Sequence, residues 1–105
     1  MNFAADKIAV IYAQGNIEFQ QGPESIGPEL DTTIREARED KNIKAIVLRV
    51  NSPGGSALTS DIIWKEVQLA AQTKPFIASM GNVAASGGYY ISCAADTIVA
   101  DPTTL

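Results

Sequence analysis

Two short glycine-rich stretches hold the residue types of this chain that are best suited to chemistry. The first, Asn51-Ser52-Pro53-Gly54-Gly55-Ser56, follows an apolar run and precedes a helical pattern. Adjacent glycines permit backbone angles that other residues avoid, and they let a ligand approach the main chain closely. Their N–H groups near the start of a helix can bind developing negative charge, which is how an oxyanion hole is built. The same stretch is also compatible with a tight turn that binds nothing.

The second stretch, Ala84-Ala85-Ser86-Gly87-Gly88, places one serine among residues that have almost no side chain. Ser86 directly follows a strand pattern and opens a helical one. This context is similar to that of a nucleophile elbow, although the letters do not match G-x-S-x-G. A role as helix N-cap explains the same serine without chemistry, because a serine at a helix start satisfies backbone N–H groups.

A serine hydroxyl needs a general base to take its proton, and the usual base is histidine. The chain contains no histidine, so its composition excludes a complete Ser-His-Asp triad within it. A lysine of lowered pKa can replace histidine. The lysines of this chain, however, lie near strand starts or in mid-helix, away from the proposed site: Lys7, Lys41, Lys44, Lys65 and Lys74. If Ser86 is a nucleophile, its base comes from outside these residues.

Composition limits the other classes of function. The chain has 105 residues, 46% of them hydrophobic, and a net charge of -4, which is typical of one small globular unit. Its basic residues are dispersed, whereas phosphate binding needs a concentrated basic face, so we expect no nucleic-acid partner. One cysteine and no histidine cannot fill a zinc shell, and no nucleotide motif is present, so we expect neither a metal nor a cofactor. Cys93 is predicted to be a small buried residue.

Strand and helix patterns alternate along the chain. Strands are predicted at residues 7–12, 44–50, 75–80 and 97–100, and helices at residues 29–41, 57–72 and 89–95, with a loop over residues 14–28. This order predicts an α/β fold of βαβ layers around a parallel sheet. Sites in such sheets form beyond the carboxyl ends of the strands, so both glycine-rich stretches should share one edge. We expect residues 1–105 to form a single, partial domain of a longer protein.

The two motifs together identify a family. LRVNSPGGS (residues 48–56) and SMGNVAASGGYYIS (residues 79–92), followed by ADTIVADPTTL, closely resemble the signal peptide peptidase A, or protease IV, family of serine peptidases. The resemblance covers residues 7–105, and its specificity comes from the order and separation of the two motifs. It implies a ClpP/crotonase-like fold that is incomplete in this chain.

The resemblance also implies roles for particular residues. Ser86 matches the catalytic serine of the family, and the turn at Gly54 and Gly55 matches its oxyanion-hole region, with Gly87 beside the nucleophile as a further donor. The family uses a Ser–Lys dyad, which agrees with the absence of histidine. The position of the family's lysine lies outside this segment, which implies that the segment is inactive alone.

Family members are serine endopeptidases that degrade small hydrophobic peptides, including cleaved signal peptides, in ring-like homo-oligomers. The resemblance therefore implies hydrophobic peptides as substrates, a homo-oligomer, no cofactor, and a place at the bacterial cytoplasmic membrane through parts outside this segment. Two alternatives remain: a non-catalytic structural or oligomerisation segment that has lost its base, and another ClpP/crotonase-fold enzyme. We also expect exposed apolar surface where missing neighbours would pack, and hence self-association.

Overall fold

Strands and helices alternate through the residues that the computed structural model describes, which are 6–18, 25–27, 29–84 and 87–100. The strands are β1 (Lys7–Gln14), β2 (Asn16–Ile17), β3 (Ser25–Ile26), β4 (Ile43–Ser52), β5 (Phe76–Ala84) and β6 (Thr97–Ala100). The helices are α1 (Glu29–Glu39), α2 (Ala57–Thr73) and α3 (Gly87–Ser92). The predicted α/β class is confirmed.

The main sheet has the strand order β1-β4-β5-β6, and every neighbouring pair in it is parallel. Side chains alternate between the two faces of each strand, and on β4 the buried ones are Ile46, Leu48, Val50 and Ser52. The three helices add their apolar residues to the same buried cluster as these strand residues. The core therefore lies between the helices and one face of the sheet.

The opposite face of the sheet carries exposed apolar side chains. Val10 is 52% exposed and Tyr12 is 66% exposed, and both alternate along β1 with residues of the core. Val10 is in register with Val47 of β4, which is in turn in register with Ile77 of β5. Parallel sheets usually have both faces covered. The apolar residues on this uncovered face therefore agree with the expectation of exposed apolar surface where missing neighbours would pack.

Helices α1 and α2 are joined by a buried carboxylate. Glu66 on α2 is only 3% exposed, and it accepts hydrogen bonds from Arg35 Nε at 3.0 Å and from Arg38 Nε at 3.2 Å. The nearby Asp31 carboxylate, together with Glu66, raises the pKa of the Arg35 guanidinium above its ordinary value. No described helix is both long enough and apolar enough to cross a lipid bilayer.

The structure differs from the sequence prediction in the segment predicted as a loop over residues 14–28. There β2 and β3 pair in parallel, with Asn16 opposite Ser25 and Ile17 opposite Ile26. Strands of two residues are too short to show a recognisable alternation of apolar and polar residues in the sequence. Their stability comes from burial of Ile17 and Ile26.

Two predictions near the carboxyl end of the chain were also imprecise. Strand β5 continues beyond residue 80 to Ala84, and α3 begins at Gly87 and ends at Ser92 instead of spanning 89–95. Three of the four extra strand residues, Gly81, Asn82 and Ala84, have low strand propensity, and pairing of Ala84 with Ser52 of β4 extends the strand past them. The prediction that Cys93 is buried was wrong, because Cys93 follows the last residue of α3 and is exposed.

Candidate active site

The carboxyl ends of β4 and β5 meet at one edge of the sheet. Ser52, the last residue of β4, is in register with Ala84, the last residue of β5. The two glycine-rich stretches therefore leave the sheet side by side, as the sequence predicted. Ser86 follows Ala84 by two residues along the chain and lies outside the described residues, as does Ala85.

Helix α3 begins in direct contact with the end of β4. A Cβ atom added at Gly88 would lie 2.7 Å from the carbonyl oxygen of Ser52, closer than real Cβ atoms approach other atoms. The Ser92 hydroxyl donates to the Gly88 carbonyl at 2.9 Å, and both Ser52 and Ser92 are fully buried. Glycine is needed at position 88 because the two backbones meet there.

The turn after β4 is held in an unusual conformation by β2. The φ angles are 104° at Gly54 and 147° at Gly55, in the region that residues with a Cβ rarely adopt. The Ile17 N–H donates to the Gly54 carbonyl at 2.9 Å, and the Ser56 N–H donates to the Ile17 carbonyl at 2.7 Å. A side chain at Gly55 would collide with the Ile17 carbonyl oxygen. The turn therefore depends on glycine for both its angles and its contact with β2.

These contacts set the direction of the Gly55 N–H. The carbonyl of Gly54 and the N–H of Gly55 belong to the same peptide unit, and the chain contains no cis peptide among the described residues. A trans peptide directs its carbonyl and its N–H to opposite sides. Because the Gly54 carbonyl points at Ile17, the Gly55 N–H points away from β2. It therefore has the orientation of a donor to a ligand on the far side of the turn.

The Gly54 N–H is already engaged. It donates to the Ser52 hydroxyl oxygen at 3.0 Å, and this hydrogen bond is buried. Of the two glycines in this turn that were predicted as oxyanion donors, Gly54 thus has an internal partner, and Gly55 is the better placed. Ser52 was missed in the sequence, although a serine side chain commonly bonds a backbone N–H two residues further on.

The glycine turn leads directly into α2. Ser56 is the N-cap of this helix, and its hydroxyl oxygen accepts from the Thr59 N–H at 3.2 Å. The Ser60 hydroxyl donates to the Ser56 carbonyl at 2.8 Å. The bond from the Thr59 N–H joins the end of the turn to the first turn of the helix, as expected of a serine at this position. The Ser60 hydroxyl only adds to a backbone bond, because the Ser60 N–H donates to the same carbonyl at 3.0 Å.

The lysines of the chain, all of which are among the described residues, lie away from this edge. Lys74 precedes β5 and donates to the carbonyls of Ala37 at 2.7 Å and Asp40 at 2.6 Å, beyond the opposite ends of the strands. Lys65 is exposed in the middle of α2, with its Nζ 3.8 Å from Asp61. The others lie beside or within the first residues of strands: Lys7, Lys41 and Lys44. None is placed to serve a serine at the carboxyl edge.

A separate open groove of about 270 Å³ runs between α1 and α2. Its lining comes from these two helices alone: Asp31, Arg35, Arg38, Ile62, Lys65, Glu66 and Leu69. Both arginines of this lining, Arg35 and Arg38, form ion pairs with Glu66. The groove contains none of the residues of the glycine-rich stretches, so it does not belong to the candidate site.

Sequence comparisons show that the chain is similar to peptidases. The family model described as Peptidase family S49 matches residues 68–105. The chain is 51% identical to "Serine protease SPPA, chloroplastic" of Arabidopsis thaliana, an alignment that covers 95% of this chain and 16% of the relative. It is 52% identical to "Protease 4" of Salmonella typhi over 93% of this chain and 16% of the relative. It thus spans about a sixth of the length of these relatives.

Structural comparison gives the same fold. An alanine mutant of the 1510-N membrane-bound stomatin-specific protease superposes with a TM-score of 0.68 at 21% identity, over 97% of this chain and 47% of that chain. A second mutant of that protease, in complex with a substrate peptide, gives a TM-score of 0.69 at 21% identity, over 97% of this chain and 44% of that chain. The described sheet and helices therefore have the ClpP-like fold of these proteases.

Proposed function

The chain belongs to peptidase family S49, and from that premise we propose that it carries the nucleophile-bearing part of a Ser–Lys endopeptidase, with Ser86 as the nucleophile. The observation that supports this assignment best is the register of Ser52 with Ala84. This register brings the end of β5, which precedes Ser86, beside the end of β4, which precedes the glycine turn. A nucleophile and its oxyanion donors need this kind of convergence.

The reaction proposed here is acyl transfer in two halves. The Ser86 hydroxyl oxygen attacks the carbonyl carbon of the scissile peptide bond while a neutral lysine takes the hydroxyl proton. The tetrahedral intermediate then collapses, the C–N bond breaks, and the lysine returns the proton to the leaving amine. Water attacks the resulting ester by the same route and releases Ser86. The isolated 105-residue segment is expected to be inactive, because the lysine comes from outside it.

Stabilisation of the oxyanion is assigned to backbone N–H groups. Gly55 is the first donor, because its N–H points away from β2 while that of Gly54 is bonded to Ser52. Gly87 is the second, because it follows the nucleophile and is the first residue of α3, where N–H groups have no partner within the helix. Loss of one such donor typically lowers kcat by about 10²–10³-fold. Gly54 is not assigned as an oxyanion donor. Its φ angle and its carbonyl shape the turn instead.

The substrates that we propose are small hydrophobic peptides, including cleaved signal peptides. A neutral lysine needs a dry surrounding to lower its pKa, and a closed chamber lined by apolar residues suits both that lysine and an apolar peptide. We propose that the whole protein forms a homo-oligomer that supplies such a chamber. We further propose that it acts at the bacterial cytoplasmic membrane, to which parts outside this segment attach it.

Covalent labelling tests the nucleophile. A fluorophosphonate probe reacts when the serine oxygen displaces fluoride from phosphorus, so the full-length protein should gain one probe at Ser86. Ser86→Ala should lose the label while keeping its circular dichroism spectrum and Tm. Ser79→Ala is the matched control, because Ser79 is a strand residue bonded to Arg49 at 2.9 Å. Absence of label in the folded wild type would favour a non-catalytic segment or a crotonase-type enzyme.

A further inference from the structure

Ser52 joins the two halves of the candidate site through separate atoms. Its hydroxyl oxygen accepts the Gly54 N–H at 3.0 Å, and its backbone is in register with Ala84. Its carbonyl oxygen meets the backbone of α3 at Gly88. The residue is fully buried, and its side chain takes no part in the steps of acyl transfer.

Packing alone does not account for a hydroxyl at this position. A fully buried polar side chain costs free energy unless it is hydrogen-bonded, so alanine would fill most of the same space without that cost. The Ser52 hydroxyl instead meets a donor that is itself buried, the Gly54 N–H. The bond fixes the peptide unit between Pro53 and Gly54. The next peptide unit, between Gly54 and Gly55, carries the Gly55 N–H.

We propose that Ser52 is a positioning residue of this site, whose hydroxyl holds the Gly54 N–H and thereby fixes the direction of the Gly55 N–H toward the oxyanion. The inference rests on the proposed peptidase function. Ile17 fixes the turn from one side through the Gly54 carbonyl, and Ser52 fixes it from within through the Gly54 N–H. Ser52 does not touch substrate, so its effect reaches the reaction through Gly55.

The expected kinetic signature follows from that indirect role. Without the hydroxyl, the left-handed turn loses one of its restraints, and the Gly55 N–H spends less time aimed at the oxyanion. Small misplacements of a catalytic group cost up to about 100-fold in rate. We expect Ser52→Ala to lower kcat about 10- to 100-fold and to leave KM within about two-fold, because the oxyanion exists only in the transition state.

A transition-state analogue gives a readout that general loss of structure would not reproduce. A peptide aldehyde adds the Ser86 hydroxyl across its C=O bond, and the resulting hemiacetal oxygen occupies the oxyanion position. If Ser52 acts through Gly55, the Ki of the aldehyde should rise by the same factor by which kcat/KM falls. The measurement uses the full-length protein, with wild type, Ser52→Ala and Ser86→Ala side by side.

The matched control is Ser60→Ala. Ser60 is also a buried serine at this edge, but its hydroxyl donates to the Ser56 carbonyl, which keeps the Ser60 N–H as a partner at 3.0 Å when the hydroxyl is removed. We expect it to keep kcat and Ki within about two-fold of wild type. Should Ser52→Ala fail to fold, Ser52→Cys is measured in its place, because a thiol has similar size and is a weak acceptor.

The outcomes separate the inference from the function on which it rests. A parallel change in kcat/KM and Ki for the Ser52 variant, with Ser60→Ala unchanged, supports the positioning role. Ser86-dependent hydrolysis that Ser52→Ala leaves intact overturns the positioning role alone. The positioning role is also overturned if Ser60→Ala loses as much activity as Ser52→Ala, or if neither Ser52 variant folds. Wild-type protein without Ser86-dependent hydrolysis overturns the proposed function and the inference together.

Discussion

The carbonyl oxygen of Ser52 and the Cα of Gly88 are so close that a Cβ on Gly88 would approach that oxygen to 2.7 Å. This contact holds the start of α3, the helix that follows Ser86, against the end of β4, the strand that precedes the glycine turn. The spacing between the two halves of the proposed site is therefore set by two backbones in contact. Long side chains, which would allow more movement, are not involved.

Gly88→Ala should destabilise the protein and reduce its activity. The added methyl group meets backbone atoms that cannot rotate away, and overpacking of this kind typically costs about 1–3 kcal/mol. Gly81→Ala is the control, because its Cβ would meet side-chain atoms of Arg49 and Asn51, each at 3.3 Å, which can shift. Urea unfolding of both variants measures the difference. Equal stability of the two variants would contradict this view of the Ser52–Gly88 contact.

Gly55→Ala should abolish most of the activity. The variant combines an unfavourable φ angle with a collision against the Ile17 carbonyl, so the turn must move and the Gly55 N–H must turn with it. We expect kcat to fall at least about 100-fold, as for the loss of an oxyanion donor. Gly15→Ala, at a glycine with a φ of 94° between β1 and β2, separates simple backbone strain from this effect. Comparable kcat values for the two variants would argue against Gly55 as a donor.

Glu66→Gln should destabilise the packing of α1 on α2. The buried carboxylate loses its charge, and its hydrogen bond to Arg38 weakens, which we expect to cost about 1–3 kcal/mol. Asp61→Asn is the matched control, since Asp61 is a partly exposed carboxylate 3.8 Å from Lys65, and such pairs contribute less than about 1 kcal/mol. Thermal unfolding compares the two. A Tm change no larger for Glu66→Gln than for Asp61→Asn would show that the buried network adds little.

The isolated chain should self-associate through the open face of its sheet. Val10 and Tyr12 are more than half exposed on this face, and contiguous apolar surface promotes association. Val10→Asp should shift the chain toward monomer in analytical ultracentrifugation. Leu69→Asp, which changes an exposed leucine on α2, should not do so. A wild-type chain that sediments as a clean monomer would exclude this role for the sheet face.

Helices and strands with long, regular patterns of apolar residues could be predicted from the sequence. The buried positions of α1, Leu30, Ile34 and Ala37, have the spacing of one helical face, and β4 is a nearly continuous apolar run. The glycine-rich stretches could be placed on one edge because parallel strands carry their carboxyl ends to the same side. These features depend on local sequence and on general rules of topology.

The rest depends on contacts between distant residues. The bridge of Ile17 to Gly55 and the collision of a side chain at Gly88 with Ser52 join positions more than thirty residues apart. No local pattern encodes either contact. The contact of Ile17 with the turn directs the Gly55 N–H outward, while the Gly54 N–H is bonded to Ser52. The distinction between the two glycines therefore required the structure.

The most direct test of Ser86 as the nucleophile is hydrolysis of a fluorogenic peptide containing leucine and alanine by the full-length protein, with wild type beside Ser86→Ala. Both proteins must first show the same circular dichroism spectrum and Tm. If Ser86 is the nucleophile, only the wild type cleaves the peptide. Cleavage by purified Ser86→Ala at the wild-type rate would contradict this assignment, and so would a folded wild type that cleaves no such peptide.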